Sequence, residues 1–209
     1  PEGHALEALD WSARIEPGRG LFFDLHLESA KYYAERDVPD DELDEGAWQS
    51  AIVWSNYHAC FLSSTKWDRG GFWVADENQP LRFAELSAKT FAVDVPGDPK
   101  FVEEDFETRR FHIYLLGHDD VADHRIGFHR VQGGLWNVEW QGKIALAYVG
   151  DYVFRYGFRA TASGVDFLGI DVPAKGASEA REMVRRVCVD AEIVDVVQHR
   201  RTWTVTLAT

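Results

Sequence analysis

Only two cysteines, Cys60 and Cys188, and a single methionine occur among 209 residues. Two thiols cannot build the dense disulfide framework of a small secreted scaffold. No Asn-X-Ser/Thr acceptor is present, and no apolar run approaches the ~20 residues that a membrane-spanning helix needs. Pro1 to Asp10 lacks the basic and apolar regions of a secretory signal. Because the chain opens on Pro1, an upstream segment is expected to be missing from it. Together these absences point to a reducing, cytoplasmic compartment. The common catalytic signatures are missing too: no phosphate-binding Gly-rich loop with Lys-Ser/Thr, no dinucleotide fingerprint, no nucleophile elbow, no His-Glu-x-x-His and no Cys-x-x-Cys. That lowers the expectation of an enzyme, although many active sites assemble from scattered residues.

What the chain does have is aromatic and acidic. Hydrophobic residues make up 45% and aromatics 13%, with eight Trp and thirteen Phe, which supplies a real core and excludes global disorder. The formal net charge is -13. Residues 1–100 hold 19 acids and 9 bases (-10), and residues 101–209 hold 16 acids and 13 bases (-3). A field of that sign repels nucleic acid and anionic membranes and attracts a basic partner. Solubility alone is the plainer explanation of the same charge.

Period-two alternation marks strands along most of the chain. Leu21, Phe23, Leu25 and Leu27 alternate with Phe22, Asp24 and His26. Trp48 to Ser64 is long, aromatic and β-branched, and Gly70-Gly71 before Phe72 to Ala75 suggests a hairpin. Further strands are expected at Lys89 to Val95, Arg110 to Leu116, Arg125 to Val131, Trp136 to Tyr148, Tyr152 to Ala162, Val165 to Val172, Ala191 to Val197 and Thr202 to Leu207. One helix stands out at Ser178 to Cys188. Ser178 suits an N-cap, Arg185 and Arg186 suit the C-terminal dipole, and Ala180, Met183, Val184, Val187 and Cys188 form one apolar stripe. The expected class is therefore α+β: a mostly antiparallel sheet with this amphipathic helix, 178–188, packed on one face.

Residues 1–209 read as a single compact unit. A second organisation, of two related halves 1–97 and 108–209 joined near 97–108, is suggested by internal similarity. Leu9-Asp10-Trp11-Ser12-Ala13-Arg14-Ile15 is similar to Val138-Glu139-Trp140-Gln141-Gly142-Lys143-Ile144, and Val93-Asp94-Val95-Pro96 to Ile170-Asp171-Val172-Pro173. Unequal spacings between the matched stretches weigh against duplication and exclude a solenoid or propeller period.

Half of the eight histidines fall between His112 and His129, interleaved with Asp119, Asp120 and Asp123. If residues 117–123 turn between two paired strands, His118, Asp120 and His124 could converge on a divalent metal such as zinc, iron or manganese, for which imidazole and carboxylate are suitable ligands. A plain polar turn uses the same residue types. His58 and Cys60, two apart, share a strand face, but a buried inert thiol fits their apolar neighbours better than a nucleophile-base pair. Phe154-Arg155-Tyr156-Gly157-Phe158-Arg159 interleaves aromatics with arginine, as stacking platforms for single strands do. Core aromatics with outward arginines are the simpler reading.

The functional expectation follows from charge. A non-catalytic binding protein, of inhibitor or immunity type, would meet a basic protein partner through Glu35, Asp37, Asp40, Asp41, Glu42, Asp44 and Glu45, without cofactor, nucleic acid or membrane. Aromatic anchors and complementary charge suit such an encounter. The alternatives are a metal-dependent enzyme or small-molecule binder using the 112–129 cluster, and a structural or oligomeric subunit.

Overall fold

The computed structural model describes residues 4–30, 59–65, 70–102, 106–115, 117–200 and 202–208. Twelve strands occur there. The first half contributes β1 (Leu6–Glu16), β2 (Gly20–Ser29), β3 (Phe61–Ser63), β4 (Phe72–Ala75), β5 (Thr90–Val93) and β6 (His112–Tyr114). The second contributes β7 (His118–Arg130), β8 (Trp136–Ala145), β9 (Tyr156–Val165), β10 (Phe167–Val172), β11 (Glu192–His199) and β12 (Thr202–Ala208). Ten of them form one path in the order β11-β12-β10-β1-β2-β3-β6-β7-β8-β9, with β4 attached to β2 and β5 to β7.

The α+β expectation is corrected by this architecture. Strands make up 54% of the protein, and the only described helix of seven or more residues is α1 (Ala177–Val187). The sheet is mixed: β1 pairs antiparallel with β2 but parallel with β10. An eleven-residue helix cannot supply a second layer for so wide a sheet, so the sheet makes its core by curling on itself. Trp11 on β1 shows the closure. Its ring lies 4.4 Å from Phe128 on β7 and 5.5 Å from Trp136 on β8, though β2, β3 and β6 separate these strands along the sheet. Phe23 and Phe167 complete the cluster at 5.2 and 4.7 Å. Such offset and edge-on aromatic contacts add to the gain from simple burial.

Helix α1 lies against the β10-β12-β11 extension, and its last turn is tied to Leu81, whose amide donates to the Val187 carbonyl at 2.7 Å. It begins one residue before Ser178, with Gly176 at the N-cap and no side-chain cap. Its stripe is nonetheless as the spacing dictates, with Ala180, Val184 and Val187 buried.

Two local expectations also change. Gly70-Gly71 does not turn a hairpin between β3 and β4. Both strands pair with β2, β3 at His26–Glu28 and β4 at Leu21–Phe23, so the glycines let the chain step along one neighbour. Residues 118–123 are not a turn but the opening of the thirteen-residue strand β7. Their carboxylates find partners in place: Asp119 accepts the Tyr148 amide at 3.0 Å, and Asp120 accepts the Val121 amide at 2.9 Å and faces the Arg109 guanidinium at 3.4 Å.

The two similar seven-residue stretches lie on β1 and β8, and both tryptophans are fully buried. Their surroundings differ. β1 has one antiparallel and one parallel neighbour, whereas β8 has antiparallel neighbours β7 and β9 on its two sides.

Candidate functional site

The side chains of β8 that face inward are Trp136, Val138, Trp140 and Ile144, with Gly142 among them. The aromatic end, around Trp136 and Trp11, is filled. Toward Ile144 the side chains become aliphatic and stop short of one another. At Gly142 a Cβ would press against both the Phe158 ring and His124 Nδ1, so only glycine admits their approach. Strand β9 closes the curl incompletely. It pairs with β8 along one edge, while its inward Tyr156, Phe158, Ala160 and Ala162 remain only half-buried. On its other side it comes alongside the first half of β1 across a groove rather than a hydrogen-bonded ladder.

A cavity of about 340 Å³ occupies this end. Leu27, Leu62, Ile113, Ile144, Phe158 and Ala160 line it, contributed by β2, β3, β6, β8 and β9. His4, Gly157 and Arg159 are exposed and lie along it, so it reaches the surface. Its polar groups are few. Ser29 Oγ accepts the Cys60 amide at 2.8 Å and is oriented toward the Ala30 carbonyl. Burial, with a contribution from the charge of Asp119, pushes the Cys60 thiol up to about 12. The thiol is therefore held protonated and is not a nucleophile at neutral pH.

His124 packs behind the cavity-lining Phe158. It is fully enclosed by Phe111, Trp140 and Phe158, with ring centroids 4.8, 5.8 and 6.0 Å away. Trp140 Nε1 donates to its Nδ1, and burial lowers its pKa to about 3, so it is a neutral core histidine.

The three residues expected to share a metal do not converge. His118 is exposed at the start of β7 beside Tyr114. Asp120 is buried against Arg109, Nε to Oδ2 3.4 Å, and burial pushes its carboxyl up to about 6 although Arg109 opposes the shift. Arg109 in turn lies over the Phe101 ring at 3.9 Å and donates to the Val102 carbonyl. His124 points into the core beyond the irregularity at Asp123, whose φ of 53° breaks the register of β7. No group of three metal-ligating side chains occurs among the described residues. Glu35, Asp37, Asp40, Asp41, Glu42, Asp44, Glu45 and His58 lie outside the described residues.

Cys60 and Cys188 are both free thiols. The aromatic-arginine stretch divides by face. Tyr156 and Phe158 turn toward the cavity, while Arg155 and Arg159 pair outside with Asp151 and Glu139. Its alternation was readable in the sequence. That it bordered a space was not, because the space depends on side chains from four other strands.

A curled β-sheet with an apolar cavity at its incompletely closed end defines the class of architecture. No family model, curated protein or solved structure matches this chain. No described helix is long and apolar enough to cross a membrane.

Proposed function

We propose that this protein binds a small, uncharged, largely aliphatic molecule in the cavity between β9 and the β2-β3-β6 wall. One observation carries the reading: about 340 Å³ of space lined by Leu, Ile, Ala and Phe and reaching the surface. Ligand sites occupy roughly 300–1,000 Å³, are mostly apolar, and recur in the mouths of curled and barrel-like sheets. Cys60 is held protonated and Arg159 at the rim pairs with Glu139, so the lining offers no thiolate, which favours binding over chemistry. The acidic run 35–45 keeps its separate reading as a docking surface for a basic partner, carried by charge alone.

The test is calorimetric titration of the full chain with straight-chain primary alcohols of increasing length. Each buried methylene contributes about 0.8 kcal/mol, so affinity should rise roughly fourfold per carbon until the cavity is full, then level off. Ala160→Trp, which fills the space from β9, should abolish binding while circular dichroism stays unchanged. Saturable binding that ignores chain length, or that survives Ala160→Trp, would sink the proposal.

A further inference from the structure

The nine residues between Leu146 and Tyr156 join two strands that line the cavity, and they are unusually apolar for a surface loop. Tyr148, Val149, Tyr152 and Val153 are 61%, 62%, 61% and 58% exposed, four large apolar side chains within six positions. Isolated exposed hydrophobes need no explanation, but a contiguous group marks an interaction surface. The backbone fixes the loop, and one face of the Tyr148 ring lies against Gly117. A 3₁₀ turn at Ala147–Val149 is closed by Val149 and Asp151 amides donating to the Leu146 carbonyl, each at 3.1 Å, and by Gly150 donating to Ala147 at 3.0 Å. The Tyr148 amide is tied to Asp119 on β7.

The electrostatics of the loop select its partner. Its two charges, Asp151 and Arg155, neutralise each other at 2.8 Å, and the Tyr156 hydroxyl donates to the same carboxylate at 3.4 Å. The patch presents no net charge of its own. The chain as a whole carries -13, which opposes an anionic surface. Tyrosine, with an apolar ring and a polar tip, is the residue type that sits at the boundary between lipid and water.

We infer that the loop 147–153 is the face by which this protein settles on a zwitterionic lipid surface, beside the cavity that takes its ligand. The inference rests on the cavity reading, since contact with lipid at this point gives an apolar molecule a path between bilayer and cavity without crossing water. It departs from the sequence expectation that a membrane is no partner. That expectation came from net charge, which excludes anionic lipid but not neutral headgroups.

The experiment is flotation of the full chain with phosphatidylcholine vesicles and, separately, with vesicles containing phosphatidylserine. The protein should float with phosphatidylcholine and less with phosphatidylserine. The double variant Tyr152→Ser/Val153→Ser should lose roughly tenfold or more in partitioning, yet bind alcohols in solution as the parent does. A Tyr148→Trp variant should show a blue-shifted emission on phosphatidylcholine. No flotation, stronger flotation with phosphatidylserine, or flotation untouched by the double variant would overturn the inference. Failure of the cavity reading has a different signature: vesicle binding intact with no alcohol binding in solution.

Discussion

Trp140 Nε1 donates a 3.1 Å hydrogen bond to His124 Nδ1 inside the curled sheet, where both side chains are fully buried. The bond fixes the tautomer: Nδ1 accepts, so the ring proton sits on Nε2, which has no partner among the described residues. Burial makes a second proton costly and lowers the pKa from 6.5 to about 3.

That relationship predicts a specific acid response. Between pH 6.5 and about 3 the unfolded chain takes up a proton that native His124 refuses, so His124 costs stability as pH falls, by up to about 1.4 kcal/mol per pH unit. Asp120 acts in the opposite sense. Its folded pKa is raised from 3.8 to about 6, so its contribution is complete below 3.8 and is lost as pH rises through about 6. From 3.8 to 6 the two slopes offset each other. Asp120→Asn should therefore expose an acid loss that begins near pH 6.5, and His124→Gln should leave stability rising as pH falls from 6 to 3.8. Urea midpoints at pH 4, 5, 6 and 7 measure both. Parallel profiles for both variants and the parent would contradict the assignment.

Gly71 has φ 49°, and a Cβ there would collide with the Phe23 carbonyl oxygen on β2. Gly71→Ala should cost more than about 1 kcal/mol in urea unfolding, because it meets both a left-handed conformation and a backbone clash. Gly18, with φ 75° but open space around it, should cost less for the same change. Equal losses at the two sites would show that the close approach to β2 is unimportant.

Both thiols are held up at about 12 by burial, with added charge from Asp119 at Cys60 and from Asp190 at Cys188. At pH 8 their thiolate populations should be roughly a thousandfold below that of an unperturbed thiol. Iodoacetamide should therefore label neither cysteine in the native protein and both in guanidinium. Mass spectrometry of the digest reads this directly, and prompt native labelling at Cys60 would contradict it.

The surplus of carboxylates makes its own prediction. If Glu35 to Glu45 meet a basic protein, binding to such a partner should weaken steeply between 50 and 300 mM salt, by about tenfold or more. Neutralising Asp40, Asp41, Glu42 and Asp44 together should flatten that dependence. Alcohol binding in the cavity, being uncharged, should hardly respond to salt in either protein.

Much of the strand content was legible because alternation is local. Leu21 to Leu27 and Thr202 to Leu207 each announce a face that turns inward, and the structure places β2 and β12 there, while the stretch expected at Tyr152 to Ala162 becomes strand only from Tyr156, where β9 begins. The helix was legible for the same reason at a different period. The long strand β7 was not, because its first half carries His118, Asp119 and Asp120, residue types that favour turns. Only the remote partners Arg109 and Tyr148 make those carboxylates tolerable in a strand. A metal cluster inferred from histidine density fails on the same ground: nearness along the chain becomes nearness in space only when the backbone folds back.

Composition and periodicity by themselves determined that this chain would be strand-rich, acidic and built around aromatic side chains, since those properties follow from each residue and its immediate neighbours. Tertiary structure alone decided that the sheet curls, that β10 lies parallel to β1, and that an unfilled apolar space remains beneath β9. The physical reason is that closure and packing volume depend on which distant side chains meet. Trp11 reaching Phe128 fills one end of the curl, while Gly142 and Ala160 leave the other open.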